Sequence, residues 1–156
     1  LSNDVLLFYL QQLVMIYRSK EKYDSAINKY CEICNKYLND KKFVYDASNV
    51  SLAIYRCIND KPIIDEDHSV RLNQLSSGEK QIVSIFSQIY LEFDKRYVVL
   101  FDEPELSLSI YWQENLLPDI IASENCKFLM AVTHSPFIFG DKLKKYTVGM
   151  HEFIKR

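Results

Sequence analysis

The sequence predicts an α/β fold whose sheet is mainly parallel. Two short apolar runs, at residues 97–101 and 127–132, have the length of strands. Their continuous apolar character is typical of a sheet that is covered on both faces. A helical pattern at about residues 111–121 separates them. A strand, a helix and a second strand in this order predict a parallel pair joined by a right-handed crossover.

The N-terminal part of the chain has helical periodicity instead. Apolar residues recur at helical spacing over residues 5–17 and again over residues 23–38. The charged residues 18–22 between them predict a turn or a helix junction. We therefore expect residues 1–40 to form a helical arm or subdomain, and residues 41–156 to form the α/β part.

The middle of the chain predicts a hairpin and then a long helix. β-Rich runs at residues 43–45 and 51–55 flank a polar turn, and residues 59–62 predict a second turn. A helix of about four turns is expected after Ser76. Its apolar stripe comprises Ile82, Val83, Ile85, Phe86, Ile89, Tyr90 and Phe93. Pro118 is expected to kink or end the next helix, and residues 146–150 to form a third strand of the parallel sheet.

Composition narrows the functional classes. The 156 residues are 48% hydrophobic and 13% aromatic, which is enough for one packed domain. The net charge of −2 provides no general attraction to nucleic acid, so any such contact would have to be local. The longest apolar stretch is shorter than the ~20 residues of a membrane helix, and no signal peptide is evident. We expect a cytoplasmic protein without a membrane partner.

The cysteines indicate reduced thiols. There are four of them, in a chain without secretory features. Cys31 and Cys34 have CxxC spacing, but no second pair of this kind is present to complete a four-ligand zinc site. We expect both thiols to pack inside the protein.

The first candidate motif is the heptapeptide Leu-Ser-Ser-Gly-Glu-Lys-Gln at residues 75–81. Ser76 followed by Glu79 three residues later is a capping-box pattern, which by itself predicts an ordinary helix start. The same helix start leaves backbone N–H groups free beside Gly78, and such groups favour an anionic phosphate.

Two further motifs follow the predicted strands. Asp102-Glu103-Pro104 ends the first strand, and Thr133-His134-Ser135 ends the second. Ligands in open α/β sheets bind beyond the carboxyl ends of the strands, and the carboxylates of Asp102 and Glu103 lie at such an end. Pro104 is expected to hold Glu103 in extended backbone. Acidic turns and structural histidines are common after strands, so neither motif is decisive alone.

Together the three motifs resemble the signature motif, the Walker B strand and the switch histidine of ABC-type ATPases. The resemblance covers roughly residues 70–150 and implies that residues 41–156 are the C-terminal part of an ABC ATPase domain. It implies ATP and Mg²⁺ as ligands. By the same resemblance, Asp102 would hold the Mg²⁺ shell, Glu103 would be the general base, and His134 would sense the γ-phosphate.

The resemblance also implies that the signature residues act on a second protomer. In the family this turn contacts ATP that is held by the opposite subunit, in a homodimer or a higher oligomer. Ser76, Ser77, Gly78 and Glu79 would therefore bind an ATP phosphate in trans.

A P-loop is missing from the sequence. Such a loop needs glycines before a Lys-Ser or Lys-Thr pair, and Gly78, Gly140 and Gly149 do not precede one. We expect the P-loop lobe to lie upstream in a longer chain and the residues shown here to be inactive alone.

The residues after Pro104 refine the resemblance. Transporter-type members carry Thr-Ser-Ala-Leu-Asp there, whereas this chain has Glu105 in place of the threonine and Ser109 in place of the aspartate. The pattern is more similar to the RecF and OLD-like branch and to Septu-type PtuA anti-phage defence ATPases, which work beside a nuclease. This implies a nuclease or other effector partner and a role in nucleic-acid processing. The alternatives are a transporter's nucleotide-binding domain and a non-catalytic module that retains the fold.

Overall fold

A computed structural model describes residues 3–92 and 95–152 of the protein. It has an α/β fold in which a long helix leads into an antiparallel sheet and then into a parallel strand pair. Phe93, which was predicted to end an apolar helix stripe, lies outside the described residues. Within the described part of the chain, no helix is long and apolar enough to cross a membrane.

The N-terminal region is one helix and not two. Helix α1 runs without interruption over Asn3–Asn35, so the turn predicted at residues 18–22 is absent. That stretch is Arg-Ser-Lys-Glu-Lys, and it lacks the glycine or proline that breaks helices, while arginine, lysine and glutamate favour them. A run of charge here marks a polar part of a continuous helix.

The predicted hairpin is confirmed, and it belongs to an antiparallel sheet. Strand β1 (Lys41–Asp46) pairs with β2 (Ser51–Ile58). The opposite edge of β2 pairs with two short strands, β3 (Lys61–Pro62) and β4 (Ser69–Val70). The prediction of a mainly parallel sheet is therefore wrong for most of the strands. Neighbouring strands that are joined by short turns pair antiparallel, because only a long crossover can return the chain in the same direction.

The second half of the fold follows the predicted order. A 3₁₀ turn at Leu72–Gln74 precedes helix α2 (Ser77–Leu91). Strand β5 (Tyr97–Asp102), helix α3 (Ile110–Ile121) and strand β6 (Cys126–Val132) follow, and β5 and β6 are parallel neighbours as expected. Pro118 does not end α3, since the helix continues to Ile121. The buried side chains of Leu116, Leu117 and Ile120 hold this last turn on the core.

The third parallel strand that was predicted at residues 146–150 is not found. Helix α4 (Gly140–Leu143) is followed by 3₁₀ turns at Lys144–Tyr146 and Met150–Glu152. The Thr147 N–H bonds back to the Lys144 carbonyl oxygen at 3.1 Å. The backbone here therefore turns on itself and does not extend.

One core joins the end of α1 to the later elements. The Tyr37 ring lies 5.6 Å from that of Phe86 on α2 and 5.9 Å from that of Trp112 on α3, centre to centre. The Tyr37 hydroxyl donates a 2.8 Å hydrogen bond to Asp119. Tyr37 lies just after α1, and Tyr30, Ile33 and Cys34 in the last turns of that helix are buried in the same core.

Cys31 and Cys34 lie in this core, as predicted. Burial raises the pKa of the Cys34 thiol to about 12 and that of the Cys31 thiol to about 11. Both side chains therefore stay protonated and pack as small apolar groups.

The parallel strands are covered on one face only. Val99 and Phe101 of β5 pack against the core, as do Leu129 and Ala131 of β6. The opposite face is an exposed apolar ribbon that comprises Val98, Leu100, Phe128, Met130 and Val132. Val98 is 65% exposed. The expectation that both faces are buried is therefore wrong for the described residues, because none of them reaches this side.

The N-terminal turns of α1 are also exposed. The large apolar side chains between Val5 and Tyr17 are exposed all around the helix. Helices that are apolar on all sides are normally buried. This segment and the apolar ribbon are the two large unpartnered apolar surfaces of the described chain.

Candidate functional site

The signature turn, residues 76–79, begins helix α2 with a complete capping box. The Ser76 hydroxyl accepts a hydrogen bond from the Glu79 N–H at 3.3 Å, and the Glu79 carboxylate accepts one from the Ser76 N–H at 2.7 Å. The first helical bond runs from the Lys80 N–H to the Ser76 carbonyl oxygen. The N–H groups of Ser77 and Gly78 precede that bond and point out of the helix start, where an anion is stabilised.

The Glu79 side chain is turned inward. It is 7% exposed, and one carboxylate oxygen accepts a 2.7 Å hydrogen bond from Lys41 at the start of β1. The other oxygen closes the capping box. Burial alone would raise the pKa of Glu79, but the bonds from Lys41 and Ser76 outweigh it and lower the pKa. Of the four residues that were predicted to meet phosphate, Ser76 and Glu79 therefore have side chains that hydrogen-bond within the protein.

Gly78 allows the loop after β5 to approach the signature turn closely. We call residues 103–109 the link loop. A Cβ atom at Gly78 would overlap the carbonyl oxygen of Ser107 in this loop and would lie 3.2 Å from the Trp112 ring. The Gln81 side-chain amide, one turn further along α2, donates a 3.0 Å hydrogen bond to the Pro104 carbonyl oxygen. The signature helix and the link loop are therefore in direct contact.

The Walker B pair lies at the carboxyl end of β5. Asp102 is the last residue of the strand and is exposed. The Glu103 N–H donates a 2.8 Å hydrogen bond to the Val132 carbonyl oxygen at the end of β6.

Glu103 does not have the extended backbone that Pro104 was expected to impose. Its φ is +45°, in the left-handed region, which costs a residue with a side chain ~1–3 kcal/mol. The Leu106 N–H bonds to the Glu103 carbonyl oxygen at 3.2 Å and closes a turn with Pro104 at its second position. That turn and the bond to Val132 outweigh the local preference. Residues held in this way are common at functional sites.

The structure brings His134 close to Glu103. His134 Nε2 lies 3.7 Å from Glu103 Oε1, which is beyond hydrogen-bond distance. The imidazole is 86% exposed, and the Glu103 side chain is 42% exposed. Both groups are accessible to a ligand that binds over the ends of β5 and β6.

Glu105 was not identified as a site residue by its sequence. In the sequence, Glu105 stood out only as a replacement for a threonine. In the structure, Glu105 Oε1 accepts hydrogen bonds from the N–H groups of His134 at 2.8 Å and Ser135 at 3.1 Å. Partial burial would raise the pKa of Glu105, but the nearby Thr133 hydroxyl and these N–H groups lower it. The acidic residue two positions after Glu103 was the signal that could have identified it.

Gln113 is a second residue that the sequence did not reveal. Its side chain on α3 accepts a 2.6 Å hydrogen bond from the Ser135 hydroxyl. It also donates a 2.9 Å hydrogen bond to the Leu108 carbonyl oxygen. The link loop and the switch loop, residues 133–135, are thus held to the same helix.

The chain matches a family of ATPase domains. The family described as "AAA domain, putative AbiEii toxin, Type IV TA system" matches residues 60–140, which are 81 of the 156 residues. The chain belongs to this family. The matched segment contains all three motifs, so the domain is of the ABC ATPase type.

Solved structures show a similar fold. One is an SMC head bound to the C-winged helix domain of ScpA, with a TM-score of 0.51 and 19% identity over 76% of this chain. This chain spans 37% of the length of that SMC head. Another comes from work on ATP-driven dimerization and DNA-stimulated activation of SMC ATPases. Its TM-score is 0.49, with 18% identity, over 81% of this chain and 77% of that one. No curated protein sequence matches the chain.

Replacing Gly78 should loosen the contact between the signature turn and the link loop. We expect Gly78→Ala to lower the free energy of unfolding by ~1–3 kcal/mol, because the added methyl group overlaps the Ser107 carbonyl. Ser84→Ala, at an exposed position of the same helix, should change it by less than ~0.5 kcal/mol. Urea denaturation measures both, and equal effects would contradict the close approach.

The Lys41–Glu79 pair should make stability depend on pH. Folding lowers the pKa of Glu79 below its ordinary 4.5, so the unfolded chain takes up this proton first as the pH falls. The stabilisation is complete above about pH 4.5 and is lost as the pH falls through the folded pKa. We therefore expect Glu79→Gln to destabilise the protein at neutral pH and to do so progressively less in acid.

Urea denaturation at a series of pH values measures this difference. Glu66→Gln, in an exposed loop, is the matched control and should show little difference from the wild type at any pH. A deficit in Glu79→Gln that stays constant from neutral to acid pH would mean that the charge of Glu79 is not its source.

Proposed function

We propose that this chain is the signature and Walker B half of an ABC-type ATPase that hydrolyses ATP between two heads. The observation that supports this most is the approach of His134 to Glu103, 3.7 Å apart at the ends of two parallel strands. These two residues lie far apart in sequence, and the fold brings them together at the edge where ligands of α/β sheets bind.

Glu103 is the general base of the proposed reaction. Its side chain is accessible, and its backbone is fixed by the bonds to Val132 and Leu106. A carboxylate held in this way can orient a water molecule and accept its proton as the water attacks the γ-phosphate. His134, beside it, would donate a hydrogen bond to that phosphate.

Asp102 fits the coordination shell of a magnesium ion. Mg²⁺ in phosphate-transfer sites is held by one or two carboxylates, with water and phosphate oxygens as the other ligands. Asp102 offers one exposed carboxylate at a strand end, which suits this arrangement. The described residues contain no cluster of three His, Cys, Asp or Glu side chains that would enclose a metal by itself. Bound Mg²⁺ would neutralise phosphate charge.

The signature turn would serve the ATP of a second protomer. Ser76 and Ser77 are exposed at the start of the helix, whereas Gly78 is buried against the link loop. The relation of this turn to the partner's phosphate rests on the ABC resemblance. Because the Glu79 carboxylate is bound to Lys41, we assign phosphate contact to the serines and to the backbone N–H groups, with Glu79 holding the turn in shape.

The P-loop lobe would cover the exposed ribbon of β5 and β6. A parallel strand pair normally has apolar layers on both faces, and here five apolar side chains on one face lack a partner among the described residues. A head whose sheet continues into a P-loop lobe would bury them. This is why we place the P-loop in a longer chain that contains these residues.

The pattern after Pro104 supports the RecF and OLD-like branch. Ser109 caps α3 through a 3.4 Å hydrogen bond from the Trp112 N–H, in the place where transporters have an aspartate. We propose that ATP-driven closure of the heads controls a nuclease or a related effector that acts on nucleic acid in defence against phage, as in Septu-type PtuA proteins.

Replacing the proposed base should stop hydrolysis and preserve binding. In the complete ATPase, with its P-loop lobe, we expect Glu103→Gln to lower the hydrolysis rate ~10²–10⁴-fold. ATP-bound dimers should accumulate and be detected by size-exclusion chromatography with light scattering. Glu114→Gln, an exposed carboxylate on α3, is the control that should keep wild-type turnover. Unchanged hydrolysis in Glu103→Gln would rule out this base, and an ATPase that binds but never hydrolyses ATP would be a non-catalytic module.

Mixing two inactive variants tests the action in trans. Ser77→Arg places a large side chain where the phosphate should lie, and Glu103→Gln removes the base. If each site takes its base from one protomer and its signature turn from the other, mixed dimers keep one intact site. Random mixing should then restore about a quarter of the wild-type rate.

The control for this experiment is Ser84→Arg, at an exposed position two turns along the same helix, which should be active without mixing. The absence of any recovery in the mixture of Ser77→Arg and Glu103→Gln would place the signature turn and the base of each site on the same protomer.

A further inference from the structure

Glu105 holds the backbone of the switch loop. A single carboxylate oxygen, Oε1, accepts the N–H groups of two consecutive residues, His134 at 2.8 Å and Ser135 at 3.1 Å. Hydrogen bonds to an ionised carboxylate are about twice as strong as neutral ones. Two bonds to adjacent N–H groups fix the position and the direction of the peptide that carries His134.

The backbone that carries this carboxylate is itself held in place. The Glu105 carbonyl oxygen accepts the Leu108 N–H at 3.1 Å, and the preceding Pro104 carbonyl is tied to Gln81. The second carboxylate oxygen, Oε2, is shut off from solvent and has no hydrogen-bond partner among the described residues.

We propose that Glu105 is a positioning residue of the ATPase site, which acts by holding His134 against Glu103. This inference rests on the proposed function. Glu105 touches the peptide of His134 and not the reacting atoms. Its hold on residues 134 and 135, together with the Gln113 bond to Ser135, keeps the imidazole within 3.7 Å of the Glu103 carboxylate. The link loop thereby connects helix α2, through Gln81, to His134, the residue proposed to sense phosphate.

The first test measures how firmly Glu105 holds the switch loop in the absence of ATP. Glu105→Gln keeps the shape of the side chain and removes its charge. In the complete ATPase, we expect the amides of residues 134 and 135 to exchange with deuterium about tenfold faster in this variant. Millisecond hydrogen exchange with mass spectrometry measures this. Glu114→Gln should leave the exchange of these amides unchanged, and unchanged exchange in Glu105→Gln would overturn the proposal.

The second test asks whether Glu105 acts through His134. We expect Glu105→Gln to lower kcat about tenfold or more while KM for ATP changes less than about threefold, because only the transition-state arrangement is affected. The double variant Glu105→Gln/His134→Ala should be no slower than His134→Ala alone, since a positioning residue has nothing left to position.

Multiplicative losses in the double variant would show that Glu105 acts independently of His134 and would overturn the proposal. So would a Glu105→Gln variant with a normal kcat. If the wild-type ATPase hydrolyses no ATP, or Glu103→Gln hydrolyses it normally, the proposed function is wrong. The exchange measurement then still decides whether Glu105 holds the switch loop.

Discussion

The close approach of the link loop to the start of helix α2 is the constraint on which the rest of the site depends. It exists because Gly78 has no side chain and leaves room for the Ser107 carbonyl oxygen. Gln81 secures the same contact from the next turn of the helix. With the loop held here, Glu103 and Glu105 are carried to the ends of the strands, where they meet the switch loop.

This arrangement makes one short loop common to all three motifs. The signature turn contacts its Ser107 end, and the switch loop contacts Glu105. Under the proposed function these motifs would belong to two different ATP sites, one on each protomer. A displacement of the link loop at one ATP site would then also shift the residues at the other site. The hydrogen bonds of the link loop leave it little freedom to move separately from either motif.

The described chain is packed on one side of its parallel strands and open on the other. Its core is complete on the side of α1, α2 and α3, whereas the outer face of β5 and β6 remains apolar and exposed. An exposed apolar face of this size is unfavourable in water. The proposed site residues lie at the edge of that open face, where a P-loop lobe would meet them.

The sequence by itself determined the local elements and the motif positions. Helical and strand periodicity gave α2, α3, β5, β6 and the hairpin, because each pattern reflects which face meets the core. Three features were not determined locally: the continuity of α1, the antiparallel pairing around β2 and the left-handed backbone of Glu103. Only the tertiary structure decided these, and it also decided the inward turn of Glu79 and the hold of Glu105 on the switch loop. Each depends on residues distant in the chain, and a sequence pattern does not record which distant groups will meet.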